Sequence, residues 1–205
     1  MDGVLVEAKD WHYEALNKAL GLFGYTISRY DHLITYDGLP TKKKLEMLSR
    51  ERGLPVKLHA FINDMKQIYT NELIHLRCHP LFHHEYALAR LKSDGLKLAV
   101  CSNSIRATVT LIMEKTNLGP YMEFFVSNQD VTHAKPHPEI YERAIRRLKL
   151  KPSECIVVED NPNGIQAATA AGAHVLQVRT TDDVTYQAIR GKIEAVLSMK
   201  RRKKV

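Results

Sequence analysis

The sequence predicts an α/β fold, a doubly wound parallel sheet carrying an inserted helical unit. Three observations lead there. From about residue 78 onward, short apolar segments alternate with stretches of helical periodicity, the pattern that right-handed β-α-β crossovers impose on a parallel sheet. Residues 11–77 instead read as helix upon helix, so the core comprises residues 1–10 and 78–205 and the helical unit residues 11–77. Of the 205 residues, 44% are hydrophobic and 26% charged, the balance of a soluble globular protein rather than a disordered chain, a collagen or a disulfide miniprotein.

Taken in order, Asp10 can cap a helix with Trp11, Ala15, Leu16, Leu20 and Phe23 at helical spacing, ended by Gly24. A second helix runs over 40–52, with Leu45 and Leu48 inward and Gly53 as terminator. A third, over 56–77, carries one stripe through Leu58, Ile62, Met65, Tyr69, Leu73 and Leu76. After Pro80 come a helix through Leu88 and Leu91 that stops at Gly95, a strand over 96–101 and a helix over 105–116. Then follow strand 124–126, helix 138–149, strand 155–158, helix 163–171, strand 174–178 and a last helix ending near Met199.

Charge argues against nucleic acid as a partner. Of the net +7, five charges come from Lys200, Arg201, Arg202, Lys203 and Lys204, leaving +2 on the rest of the chain. Such a terminal cluster reads as a solvated tail, not a binding face. Lys42, Lys43 and Lys44 read as a solvated helix face. No apolar run approaches the roughly 18 residues of a membrane span, and no secretory signal opens the chain. Three widely spaced cysteines, Cys78, Cys101 and Cys155, suit reduced thiols in a cytoplasmic protein. The run from Cys78 to His84 reads as a hinge rather than a metal site, lacking two separated ligand pairs, and Cys101 reads as a buried thiol.

Ligands of a doubly wound sheet sit at the carboxyl ends of its strands, and polar residues wait at each of them. Ser102-Asn103-Ser104 ends one strand, Asp130 and Lys135-Pro136 follow another, and Glu159-Asp160-Asn161 ends a third. Asp2-Gly3 precedes an apolar pair at the start. Glu159 and Asp160 are hard oxygen ligands suited to Mg²⁺. Ser102 and the backbone amides around Asn103 can cradle phosphoryl oxygens at a helix N-terminus. Lys135 offers a point charge for a transferring phosphoryl group.

These residues resemble the motifs of the haloacid-dehalogenase superfamily of phosphohydrolases, in its β-phosphoglucomutase-like branch with a helical cap. Asp2-Gly3-Val4-Leu5 is similar to the tail of the first motif, Asp-x-Asp-Gly-Val, and Ser102-Asn103-Ser104 to the second. Lys135-Pro136-x-Pro138 resembles the third, and Glu159-Asp160-Asn161 with Gly164-Ile165 the fourth. The resemblance implies a Rossmann-like, haloacid-dehalogenase-like core. It also implies that Ser102 and Asn103 contact phosphate, Lys135 bridges phosphate and nucleophile, and Asp160 with Glu159 holds Mg²⁺. Asp2 would be general acid and base while its backbone carbonyl coordinates the metal, and His12 would take a substrate-binding position in the cap.

In that family the nucleophile is the first aspartate of Asp-x-Asp, whose place would precede Met1, together with the central strand that delivers it. The expectation is a segment on the order of ten residues ahead of Met1, without which two apolar strand edges would face a gap. The activity implied is Mg²⁺-dependent hydrolysis of a small phosphorylated metabolite, such as a sugar phosphate, by way of an aspartyl-phosphate. A phosphomutase and an inactive phosphate-binding relative are the alternatives. Thr41, where the mutase has an arginine, and Ala8, in place of a hydroxyl residue, count against the mutase.

Overall fold

Helices dominate the first third of the chain, and strands enter only after residue 98. A computed structural model describes the backbone of residues 1–202 and the side chains of residues 1–199. The chain divides into two compact units, one made of Met1–Val6 and His79–Val205 and the other of Glu7–Cys78. Residues 7–10 and Cys78, grouped with the core in the sequence reading, fall in the helical unit. The reason is local: helix α1 starts at Lys9 with Ala8 at its N-cap, so Asp10 lies in its first turn instead of capping it.

In the helical unit α1 (Lys9–Gly21) packs on α3 (His59–Arg77), and α2 (Thr41–Arg52) completes the core. Gly53, at φ +70°, ends α2 in the left-handed conformation that glycine adopts without penalty. Leu16, Leu20, Ile27, Tyr36, Leu45, Leu48, Leu54 and Ile62 form one continuous cluster. The expected stripe holds at Ile62, with Leu58, Met65 and Tyr69 partly buried against the same cluster, and fails at its end, where Leu76 is 80% exposed. The buried line of α3 runs through Ile62, Lys66, Thr70 and Ile74. Two polar residues hold this line because their polar atoms are satisfied there. Thr70 donates to the Lys66 carbonyl, and Lys66 Nζ lies 3.2 Å from His12 Nδ1 on α1. Lys44 likewise departs from the solvated face expected of it: it is buried, and burial lowers its amine to about 8.

The other unit carries helix α4 (Phe82–Ser93) and then alternates. In order these are β1 (Ala99–Cys101), α5 (Arg106–Lys115), β2 (Phe124–Val126), α6 (Glu139–Leu148), β3 (Ile156–Glu159), α7 (Pro162–Ala170), β4 (His174–Gln177) and α8 (Tyr186–Arg202). The strands are parallel and form two pairs, β1 with β2 (Val100 opposite Phe125) and β3 with β4 (Val157 opposite Val175). A cavity of about 620 Å³ is lined by 98–101 and 156–159. Successive side chains of a strand point to opposite faces, so a cavity touching every residue of β1 and β3 lies along their edges.

Backbone directions agree. Leu98 accepts from Glu123 and Ser102 donates to Val126, so even-numbered β1 residues face β2 and those of Ala99 and Cys101 face the cavity. Cys155 accepts from His174 of β4 and Glu159 from Val178 just after it, which turns Ile156 and Val158 toward the same slot. His84, in the run read as a hinge, is buried and bonds through Nε2 to the Thr181 carbonyl at 2.8 Å. The side chains of the basic cluster 200–204 lie outside the described residues.

Candidate functional site

The carboxyl ends of β1 and β3 and the first residues of the chain assemble one polar network. Ser102, leaving β1, is buried and tied by its N–H to the Val126 carbonyl at 3.0 Å. Its Oγ accepts the Ser104 N–H at 3.1 Å. The hydroxyls of Ser102 and Ser104 both donate to Asp2 Oδ2, at 3.3 and 3.1 Å. The N–H groups of Ser102 and Ser104, expected among the amides of a phosphate cradle, are thus committed within the protein. Asp2 sits on a tight turn that needs Gly3 at φ +73°, with the Gly3 N–H on the Val6 carbonyl and the Leu5 N–H on the Met1 carbonyl. Asn103 grips the backbone of Lys135 on both sides: Oδ1 accepts its N–H at 3.1 Å and Nδ2 donates to its carbonyl at 3.4 Å.

Lys135, on the segment between β2 and α6, is buried, and its Nζ donates to Glu159 Oε1 at 2.6 Å and to the Cys101 carbonyl at 3.2 Å. Its ammonium also stands 4.7 Å from the Tyr141 ring centroid. The Tyr141 hydroxyl donates to the same Glu159 oxygen at 2.9 Å, and Oε2 accepts the N–H groups of Asp160 and Asn161. Burial alone would raise the Glu159 carboxyl. The Lys135 ammonium and the Met1 amine outweigh it and hold the group at about 2.

Glu159, expected among the metal-holding residues, stands in the structure as the counter-ion of Lys135. Its two oxygens take four hydrogen bonds, which fills the acceptor capacity of a carboxylate, and it positions that lysine. Gly164 makes room for it, since a Cβ there would stand 2.1 Å from Oε1. Burial pushes the Cys101 thiol up to about 11, so it stays protonated.

Asp160 lies next along the chain, and both its carboxylate oxygens are buried. Its hard anionic oxygens, with the neutral backbone carbonyl expected of Asp2, are donors whose chemistry fits Mg²⁺. His12 lies in the helical unit, half-buried, beside Lys66. The structure joins Asp2, Ser102, Asn103, Lys135 and Glu159 through an unbroken series of contacts, all within one unit.

The profile of the haloacid dehalogenase-like hydrolases matches residues 1–178. The chain belongs to that family. A hydrolase of Thermotoga maritima, named as a phosphorylated carbohydrates phosphatase, is 28% identical over 84% of this chain and 79% of its own. A Saccharomyces cerevisiae protein named as a probable pseudouridine-5′-phosphatase is 29% identical over 98% of this chain and 87% of its own. Among solved structures, the β-phosphoglucomutase of Clostridium difficile superposes with a TM-score of 0.82 at 21% identity, covering 96% of each chain. That likeness is one of fold, and it accords with the α/β hydrolase core read from the alternating segments.

Three parts of this hydrolase site carried no clear signal in the sequence. Ser104 was visible only as the end of a motif, and nothing marked its hydroxyl as a second donor to Asp2. Tyr141 is the third residue of α6, which Pro138 at the N-cap brings close to Lys135. Its pattern alone is that of any core aromatic. Gly164 stood in the fourth motif without a reason, which is the Glu159 carboxylate packed against its Cα.

Proposed function

We propose that this hydrolase is a Mg²⁺-dependent phosphatase of a small phosphorylated metabolite, with a sugar phosphate as its substrate class. The observation that carries this reading is the buried Lys135–Glu159 pair at 2.6 Å, with the buried Asp160 carboxylate next along the chain and the Asp2 carboxylate held by Ser102 and Ser104. The relatives named for phosphorylated carbohydrates and pseudouridine 5′-phosphate support the substrate class.

In this reading Lys135, fixed by Glu159 below and Asn103 at its backbone, neutralises charge on the transferring phosphoryl group. The Ser102 hydroxyl, and Asn103 beside it, contact the phosphate oxygens. Asp2, oriented by Ser102 and Ser104 through Oδ2, protonates the leaving oxygen and then takes a proton from water. Mg²⁺, when bound by Asp2 and Asp160, supplies charge neutralisation at the phosphoryl oxygens. The covalent step needs a nucleophilic carboxylate, and we place it on a strand directly ahead of Met1 that fills the slot between β1 and β3. The apolar slot and the backbone groups turned toward it support that placement. His12 is proposed to contact the leaving group, and the setting to be cytoplasmic.

The test compares the 205-residue chain with a form bearing the preceding strand and aspartate, on a panel of sugar phosphates with and without chelator. Turnover is expected only from the longer form and only with Mg²⁺. Chelator-resistant turnover would overturn the metal assignment, and robust turnover by the 205-residue chain would overturn the upstream nucleophile. Conversion of a sugar 1-phosphate to its 6-phosphate in place of phosphate release would make the enzyme a mutase.

A further inference from the structure

The segment that carries Lys135 bears a second group of ligand-capable side chains, on its exposed side. His133, His137 and Glu139 each bring one ligand atom into a cluster whose members all lie within 4.8 Å of one another. His133 Nδ1 is 3.0 Å from Glu139 Oε2, and the His133 and His137 rings lie tilted at 35° with 4.6 Å between centroids. The Glu139 carboxylate is fixed before any ligand arrives. Its Oε1 accepts the Thr132 N–H at 2.8 Å and its Oε2 the His133 N–H at 2.9 Å.

We propose that His133, His137 and Glu139 form a binding site for a divalent transition metal, Zn²⁺ by its chemistry, separate from the carboxylate site and independent of the phosphatase reading. Two imidazole nitrogens and one carboxylate oxygen are the donors that Zn²⁺ prefers and that Mg²⁺, a cation of all-oxygen sites, does not. Zinc bonds of about 2.0–2.1 Å set tetrahedral ligand atoms roughly 3.3–3.5 Å apart. One pair already stands closer than that, and the others close by rotation of solvent-exposed imidazoles. The ion takes the place of the proton between His133 Nδ1 and Glu139, and that proton moves to the exposed Nε2 of the same ring. At His137 the competing bond, from the Glu139 N–H to Nδ1, is long at 3.3 Å and yields readily. The fourth position stays open to water.

The ligands are spaced so that the metal closes a clasp over residues 133–139, with Lys135 and Pro136 between the two histidines. The same loop is held on its inner side by Asn103. Metal at the clasp therefore acts on the mobility of the Lys135 segment without touching the buried ammonium.

The experiment is calorimetric titration of Zn²⁺ into the untagged 205-residue chain in excess Mg²⁺, with Co²⁺ absorption as a measure of coordination. One equivalent of Zn²⁺ is expected to bind and to persist in Mg²⁺, with the intense visible bands of four-coordinate Co²⁺. The H133A/H137A double variant should lose affinity by about 100-fold or more, and E139Q by about 10-fold or more. Asp160→Asn should leave the zinc isotherm unchanged. The chain has 10 histidines, so an isotherm unaltered in a folded H133A/H137A variant would place the metal elsewhere and overturn the proposal. Displacement of zinc by Mg²⁺, or its loss in Asp160→Asn alone, would do the same.

Discussion

The two units solve the same problem, the burial of backbone, in opposite ways. Within each helix of the first unit the interior N–H and C=O groups pair with one another, so its core is a matter of side chains, and Leu20, Leu48 and Ile62 are buried completely. A strand has no such independence, because half of its backbone groups point to a neighbour on each side. β2 and β4 provide one neighbour each for β1 and β3, and the remaining edges border the 620 Å³ slot. A helical unit can thus be complete where a sheet is still open, because helices need only side-chain partners and strands need partners for their main chain.

Variants that act on one unit and spare the other sharpen this contrast, and Trp11, the single tryptophan, reports on the helical unit by fluorescence. The largest effect belongs to the buried pair in the α/β unit. Glu159→Gln leaves the Lys135 ammonium buried without its counter-ion and should cost about 3–5 kcal/mol. Hydrogen exchange in 156–170 should accelerate while the Trp11 transition stays put. A shift of the Trp11 transition by the same amount would show that the units do not unfold separately. Gly164→Ala, which forces the Glu159 carboxylate away, should mimic this loss.

Next comes Leu48→Ala in the filled core, expected to lower helical-unit stability by about 2–5 kcal/mol in urea titrations read at Trp11. A loss under 1 kcal/mol would mean that this core is looser than its burial indicates.

The pH dependence of the helical unit is somewhat smaller. His32 is buried, and burial with the nearby Lys44 charge lowers its imidazole from 6.5 to about 4. The unfolded chain binds the proton first, so stability is intact above pH 6.5 and declines as the pH falls toward 4. Near pH 4.5 the decline should reach about 2–3 kcal/mol. The His32→Leu variant should show a flat profile over that window, and a profile with the original slope would assign the effect to another group. The smallest effect is expected in the slot itself. Val158→Ala removes methyl groups that already border open space, so about 1 kcal/mol or less should be lost. A cost near that of Leu48→Ala would mean the slot is closed in solution.

What could be read from the sequence follows the same division between local and spatial information. Helix 40–52 was legible because Pro40 and Gly53 mark its ends, and both do so in the structure. The strand at 124–126 was legible as a short apolar run. Of the inward face of α3, Ile62, Met65 and Tyr69 were legible from their spacing, but Lys66 and Thr70 were not, since they became core residues through partners on α1 and on their own helix that hydropathy cannot show. At the site, the residue types at the strand ends announced where chemistry sits, but not which carboxylate does what. That Glu159 is consumed by Lys135, Tyr141 and two amides depends on the meeting of four segments. Adjacent Glu159 and Asp160 look interchangeable until their surroundings are known.

The alternation of backbone direction along β1 and β3 has a consequence for exchange with solvent deuterium. Within a single strand, neighbouring amides inhabit different worlds. Those of Val100 and Val157 are shielded by hydrogen bonds to β2 and β4, while those of Ala99, Cys101, Ile156 and Val158 point into the slot. Protection should therefore rise and fall with a period of two residues, a sawtooth that a fully paired central strand never shows. Any molecule that enters the slot as an extended chain would flatten it, so the labelling pattern of these few amides records whether the two half-sheets have become one.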